Sequence, residues 1–172
     1  MTRSLLVDAF DHNTWATLRL IDACAELTPE QLETTVPGTF GTIIGTFRHT
    51  VGADSWYRYR LLGDRYPPMT EEEEEGMDLA QLRAAAEELG ASWPDLLAGE
   101  PDPDEVVSVV RDDGSATHAP IGIRIAQILH HGTDHRSQIC TALTQLGMEP
   151  PEIDLWAYGQ QAGRVTEVPP SS

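Results

Sequence analysis

The chain has 172 residues, with 28 acidic side chains against 11 basic ones and a formal net charge of −17. All 11 basic residues are arginine, which excludes lysine Schiff-base chemistry and a phosphate-loop lysine, and the lack of a basic patch argues against nucleic acid and anionic membranes as partners. The length suits one domain with a real core, and with no internal repeat, no apolar run of membrane-spanning length and no signal-peptide h-region, the expectation is a soluble cytoplasmic protein.

A first helix is predicted over residues 4–27, with Leu6, Phe10, Leu20, Ile21 and Cys24 among its apolar positions. Thr28-Pro29-Glu30-Gln31 has the form of a capping box with proline at N1, opening a short helical turn that Val36-Pro37-Gly38 breaks. Thr42 is placed to cap a second long helix ending near Leu62-Gly63. The acidic run 71–75 reads as a solvated loop leading into a third helix over 77–97. In that helix Leu79, Leu82, Leu89 and Leu96 point inward, and Pro94 is expected to kink or restart it.

Val106-Val107-Ser108-Val109-Val110 is a β-branched run, followed by an Asp-Gly turn and a return strand over 115–118. Pro120 starts a fourth helix that stops at Gly147. After Pro150-Pro151, residues 154–159 form a short C-terminal helix and 165–172 a loose tail. The expected fold is all-α: a four-helix bundle over residues 1–164 with a small β-hairpin insertion before the fourth helix. Cys24 and Cys140 fall within apolar helical patterns and read as buried reduced thiols.

The fourth helix carries His130, His131 and His135. His131 and His135 are four residues apart, so both imidazoles leave the same side of the helix and offer a bidentate site for a transition metal. On a wheel of 100° per residue, Ile121, Ile125, Ile128, Ile139, Leu143 and Leu146 form one stripe. His135 lies roughly 50° from its centre, His131 roughly 90°, and His130 almost opposite, facing water. Two ligands do not close a metal's shell, and such a pair also occurs satisfied by carbonyls or water.

Candidates for a third ligand are His12, His49 and His118. His118 is about three turns from His131, too far along the axis; His12 can face the interior. His49 shares a helix side with Gly45, Gly52, Ala53 and Trp56, which would admit a neighbouring helix and stack Trp56 above it. The main apolar stripe of that helix (Ile43, Phe47, Val51, Leu61) points nearly the other way, which leaves a surface histidine as the alternative.

Four segments in order resemble the DinB/YfiT-like family of metal-dependent four-helix-bundle proteins. These are His12-Asn13-Thr14-Trp15-Ala16, then 42–49 with Ala53-Asp54-Ser55-Trp56, then His131-x3-His135-Arg136-Ser137-Gln138, and 150–158. The resemblance implies an up-down-down-up bundle and a three-histidine site of His49, His131 and His135. Ser137 stands where the family usually has glycine, but its direction is away from the core; Thr50 replaces a common aliphatic residue and is expected to make the pocket slightly more polar.

Three neutral imidazoles leave coordination positions open, as a catalytic ion requires, and zinc, nickel or iron would each accept them. Gln138 projects within about 20° of His131 and is placed to hold a metal-bound water or substrate. Trp56 is the expected pocket wall, and Arg136 is expected to bind an acidic group outside the site or to cap a carboxylate. The family's characterised branches include bacillithiol- and mycothiol-dependent enzymes, so the resemblance implies a transferase or isomerase using a low-molecular-weight thiol. A hydrolase is the alternative, weakened because no glutamate stands near the histidine pair in sequence; a non-catalytic metal-binding or stress-response protein is another. Expected partners are a small-molecule substrate, with no nucleic acid and no membrane, and a homodimer is left open.

Overall fold

The computed structural model describes residues 4–111 and 113–168; residue 112 of the expected turn and 169–172 of the expected tail lie outside them. Among the described residues 62% are helical, in seven α-helices and one 3-10 turn at Gly63–Arg65, beside one two-stranded antiparallel hairpin. The long helices are α1 (Val7–Ala23), α3 (Ile43–Leu62), α5 (Leu79–Ala98) and α6 (Ile121–Gln145). Three short ones, α2 (Pro29–Leu32), α4 (Glu71–Gly76) and α7 (Leu155–Gln161), complete the set. No helix among the described residues is long and apolar enough to cross a membrane.

Local chemistry sets most boundaries. The hydroxyl of Thr28 accepts from the amide of Gln31, whose side chain accepts from the amide of Thr28. Thr42 Oγ1 accepts from Gly45 N at 3.0 Å and starts α3, while Gly63, at φ +77°, ends it. The acidic run is not the loop expected from sequence. Glu71–Gly76 is a helix of its own, because Thr70 and Glu73 form a capping box and four glutamates occupy the positive end of the dipole. Helix α5 then starts separately at a second capping box, Asp78 with Gln81.

Pro94 does not restart α5, which continues from Leu79 to Ala98. Buried Leu89, Trp93 and Leu96 flank the proline on both sides, and Trp93 packs on Phe10 of α1 with ring centroids 5.0 Å apart. These anchors hold the helix in register past a proline whose own side chain faces out. Helix α1 is shorter than expected at both ends, with no side-chain cap at its start among the described residues.

Each of α1 and α3 packs on both α5 and α6. One apolar cluster joins Leu20, Phe47, Leu82, Leu89, Ile139 and Leu143; a second joins Phe10, Trp93, Ile121, Ile125 and Ile128. Strands β1 (Val106–Val110) and β2 (Ala116–Pro120) pair with Ser108 opposite His118. Pro120 closes β2 and directly precedes α6, so the hairpin is tied to the helix that carries the histidines.

Candidate metal centre

Helix α6 presents His131 and His135 one turn apart, and α3 brings His49 against them from 82 positions away in sequence. Nε2 of His131 lies 3.0 Å from Nε2 of His49 and 3.1 Å from Nε2 of His135. One donor atom from each of the three rings falls within 4.8 Å of the others. On α6 His135 is buried, His131 half-buried and His130 exposed, in the order the helical wheel predicts, and His49 on α3 is half-buried. His118 is occupied with Ser108 at 2.7 Å. His12 turns to the carbonyl of Ile153 at 2.8 Å and lies outside the cluster.

Gln138 fixes the tautomer of His135. Its Oε1 accepts the amide N–H of Phe40 at 2.9 Å, which identifies that atom as the oxygen, and the same oxygen lies 3.1 Å from His135 Nδ1. The proton of neutral His135 therefore sits on Nδ1, leaving the Nε2 lone pair aimed into the cluster. Gln138 thus works behind the ring, where the sequence suggested a contact with metal-bound water.

Three Nε2 atoms in such proximity repel unless a proton or a cation lies among them. Nδ1 of His131 is buried with no hydrogen-bond partner among the described residues, so its ring is not held from behind. Burial, and then the neighbouring rings of His135 and His49, push His131 down to about 4; burial and His135 lower His49 as well. These rings are neutral donors at neutral pH. Nitrogens about 2.1 Å from a shared ion stand about 3.0 Å apart at right angles and about 3.4 Å apart at a tetrahedral angle. The separations of 3.0 and 3.1 Å suit a divalent transition-metal ion.

The ring stacked on His49 is Phe40, with centroids 4.1 Å apart and planes 19° apart, and Phe40 also meets His135 edge-on at 5.1 Å. The expected stack of Trp56 over His49 is not formed, because seven residues carry Trp56 about 10.5 Å along the helix axis. Phe40 escaped the sequence reading since it lies in the loop before α3, outside any periodic pattern. The only local signal is an aromatic residue beside Gly38 and Gly41. Gly38 takes φ +89°, and the bridge between Thr35 and Thr42 closes the loop that delivers Phe40 to the site.

Arg136 does not reach outward as expected. It is 3% exposed, and its Nη1 donates to Asn13 Oδ1 at 2.7 Å and to Thr17 Oγ1 at 3.1 Å. Asn13 Nδ2 in turn approaches Asp54 Oδ2 at 3.4 Å, linking α6, α1 and α3 through a buried polar chain. A Cβ on Gly132 would stand 2.6 Å from Asn13 Oδ1, so this glycine makes room for the link. Burial pushes Asp54 up to about 7 despite Arg136 and Asn13, and burial pulls Arg136 down to about 10. The chain orients α6 beside the histidines. Thr50 adds no polarity to the pocket, since its hydroxyl donates to Thr46 O at 2.7 Å.

The chain matches no curated protein. The sequence model of the DinB family matches residues 1–167 of the 172, and the chain belongs to that family.

Proposed function

We propose that this member of the DinB family is a divalent-metal-dependent transferase or isomerase that acts with a low-molecular-weight thiol. His49, His131 and His135 would hold the ion, with zinc, nickel and iron the candidates by donor type. We read the four long helices as the family's four-helix bundle in up-down-down-up order, with residues 1–164 as the domain. The observation that carries the proposal is the convergence of three Nε2 atoms, one of them with its lone pair fixed by Gln138. A divalent ion held by these histidines would supply Lewis acidity, favouring the thiolate form of an added thiol at neutral pH.

The chain's own sulfur atoms are poorly suited to the nucleophilic role. Cys24 is fully buried and pushed up to about 12 by burial, and burial raises Cys140 too. Both are free thiols rather than thiolates at neutral pH. The reacting sulfur would therefore come from outside the protein. Phe40 forms an apolar wall against two of the three rings.

One observation favours a hydrolase as the second reading. The Glu74 carboxylate lies against Gly52, one turn beyond His49, where a Cβ would approach Oε2 to 2.0 Å. Burial, and then Glu71 and Glu75, raise it above the ordinary carboxylate range, as a general base requires. The sequence offered no glutamate near the histidine pair; α4 brings one against the helix that carries His49.

The test is metal analysis of untagged protein, followed by turnover assays with several thiols and electrophilic acceptors. Stoichiometric metal and thiol-dependent turnover are expected, both lost in a His131→Ala, His135→Ala double variant. Ester or amide hydrolysis without thiol, abolished by Glu74→Gln, would favour the hydrolase instead. Metal binding with no turnover on either panel would leave a non-catalytic metal-binding protein.

A further inference from the structure

A cavity of about 480 Å³ opens between α3, α6 and the hairpin, lined by Trp56, Tyr57, Arg60, Arg111, Thr117 and Arg124 among others. Three of the chain's 11 basic residues meet there, in a protein of net charge −17. Among the described residues none of the three is joined to a carboxylate by a salt bridge, although Arg58, Arg65, Arg83 and Arg164 each are. Arg124 is 5% exposed; its Nη2 donates to Val107 O at 2.9 Å, and its buried Nε has no partner among the described residues. Nε of Arg60 is likewise buried and unpartnered, while its guanidinium lies 5.1 Å from the centroids of both Trp56 and Tyr59. Arg111 is held by Ser115 and Thr117 on the strand side. Guanidinium groups gathered in this way repel one another unless an anion sits among them, and their planar forks suit carboxylate or phosphate oxygens.

The position of the cavity relates it to the histidines. Trp56 is seven residues beyond His49 on α3, and Arg124 is seven before His131 on α6. Each offset returns the side chain to within roughly 20° of the histidine's direction, about 10.5 Å along the axis. Since 49 meets 131 while 56 and 124 share the cavity, the two helices run antiparallel here. The cavity therefore lies two turns up the same inter-helix groove.

We propose that this arginine-lined cavity binds the anionic group, carboxylate or phosphate, of a small-molecule substrate whose reacting end lies at the three histidines. Only the location of the reacting end rests on the function proposed above; anion binding itself does not need the metal. The substrate class is an extended anionic molecule that places its charge about 10 Å from its reacting atom.

The test is NMR titration of chelator-treated protein with malate, inorganic phosphate and uncharged malamide, following the arginine Nε–H and tryptophan indole signals. Malate or phosphate is expected to shift the signals of Arg60, Arg124 and Trp56, with malamide inert. Tighter malate binding identifies a carboxylate as the recognised group, and tighter phosphate binding a phosphate. Arg60→Gln and Arg111→Gln should each weaken binding about tenfold or more. Arg111→Lys should restore part of it, separating lost charge from lost fold. No shift with either anion, or an unchanged Kd in the Arg60→Gln, Arg111→Gln double variant, overturns the proposal. Zinc uptake by the same wild-type preparation is read separately. Protein that takes up no zinc but binds malate through the arginines removes the proposed function and leaves this cavity assigned.

Discussion

Gln138 holds His135 from behind, its Oε1 3.1 Å from Nδ1 of the ring three residues earlier on α6. The same oxygen anchors the amide of Phe40 at 2.9 Å, so one side chain sets both the tautomer of a metal-ligand candidate and the position of the ring stacked on His49.

Removing that oxygen should loosen the site without removing a ligand. Gln138→Ala is expected to weaken zinc affinity by about ten- to a hundredfold, the usual cost of losing such a supporting contact. Competition against a chromophoric chelator measures it. Wild-type affinity in the variant would show that His135 is oriented by something else.

The depressed histidines make a pH prediction. An imidazole whose folded value lies below its unfolded value of about 6.5 binds fewer protons in the folded state. Its contribution to stability is therefore present above that value and is lost as pH falls, for His131 through the window down to about 4. Protons compete with metal over the same range, so the stabilisation given by zinc should also decline with falling pH. Imidazole NMR titration of metal-free protein checks the first point, and thermal midpoints with and without zinc check the second. A His131 midpoint at or above the ordinary value contradicts both the burial and the crowding seen in the cluster.

Thiol chemistry that uses an external thiol should not need the protein's cysteines. A Cys24→Ala, Cys140→Ala double variant is expected to keep thiol-dependent turnover while losing about 1–3 kcal/mol of stability, mostly at fully buried Cys24. Turnover measured at a temperature well below the unfolding midpoint separates the two effects. Loss of turnover in folded, metal-loaded protein would put a cysteine in the reaction.

Asn13 joins the buried guanidinium of Arg136 to the carboxylate of Asp54. Asn13→Ala removes the 2.7 Å acceptor from a charge that is 3% exposed. The expected loss is about 2–4 kcal/mol by chemical denaturation. A loss below about 0.5 kcal/mol, within the range of ordinary surface substitutions, would mean that Thr17 and the backbone carbonyl of residue 13, 3.3 Å from Nη1, suffice to hold Arg136.

Local features were legible in the sequence: where Thr28 and Thr42 cap helices, where Val106–Val110 turns back as a hairpin, and which way the three α6 histidines face. Capping and periodicity act within one or two helical turns, so they can be read from neighbouring residues. Even local patterns mislead: the run of glutamates is a capped helix rather than a loop, and α1 is shorter than its apolar pattern suggests. The tertiary structure decided what happens between helices. Periodicity pointed the apolar stripe of α3 away from His49, and only the packing of α3 on α6 brings that ring within 3.0 Å of His131. The inward turn of Arg136, the arrival of Phe40 from a loop, the continuity of α5 through Pro94 and the meeting of Arg60, Arg111 and Arg124 have the same origin. Each depends on side chains far apart in sequence meeting in space, and that meeting is fixed by the packing of whole helices rather than by any residue's neighbours.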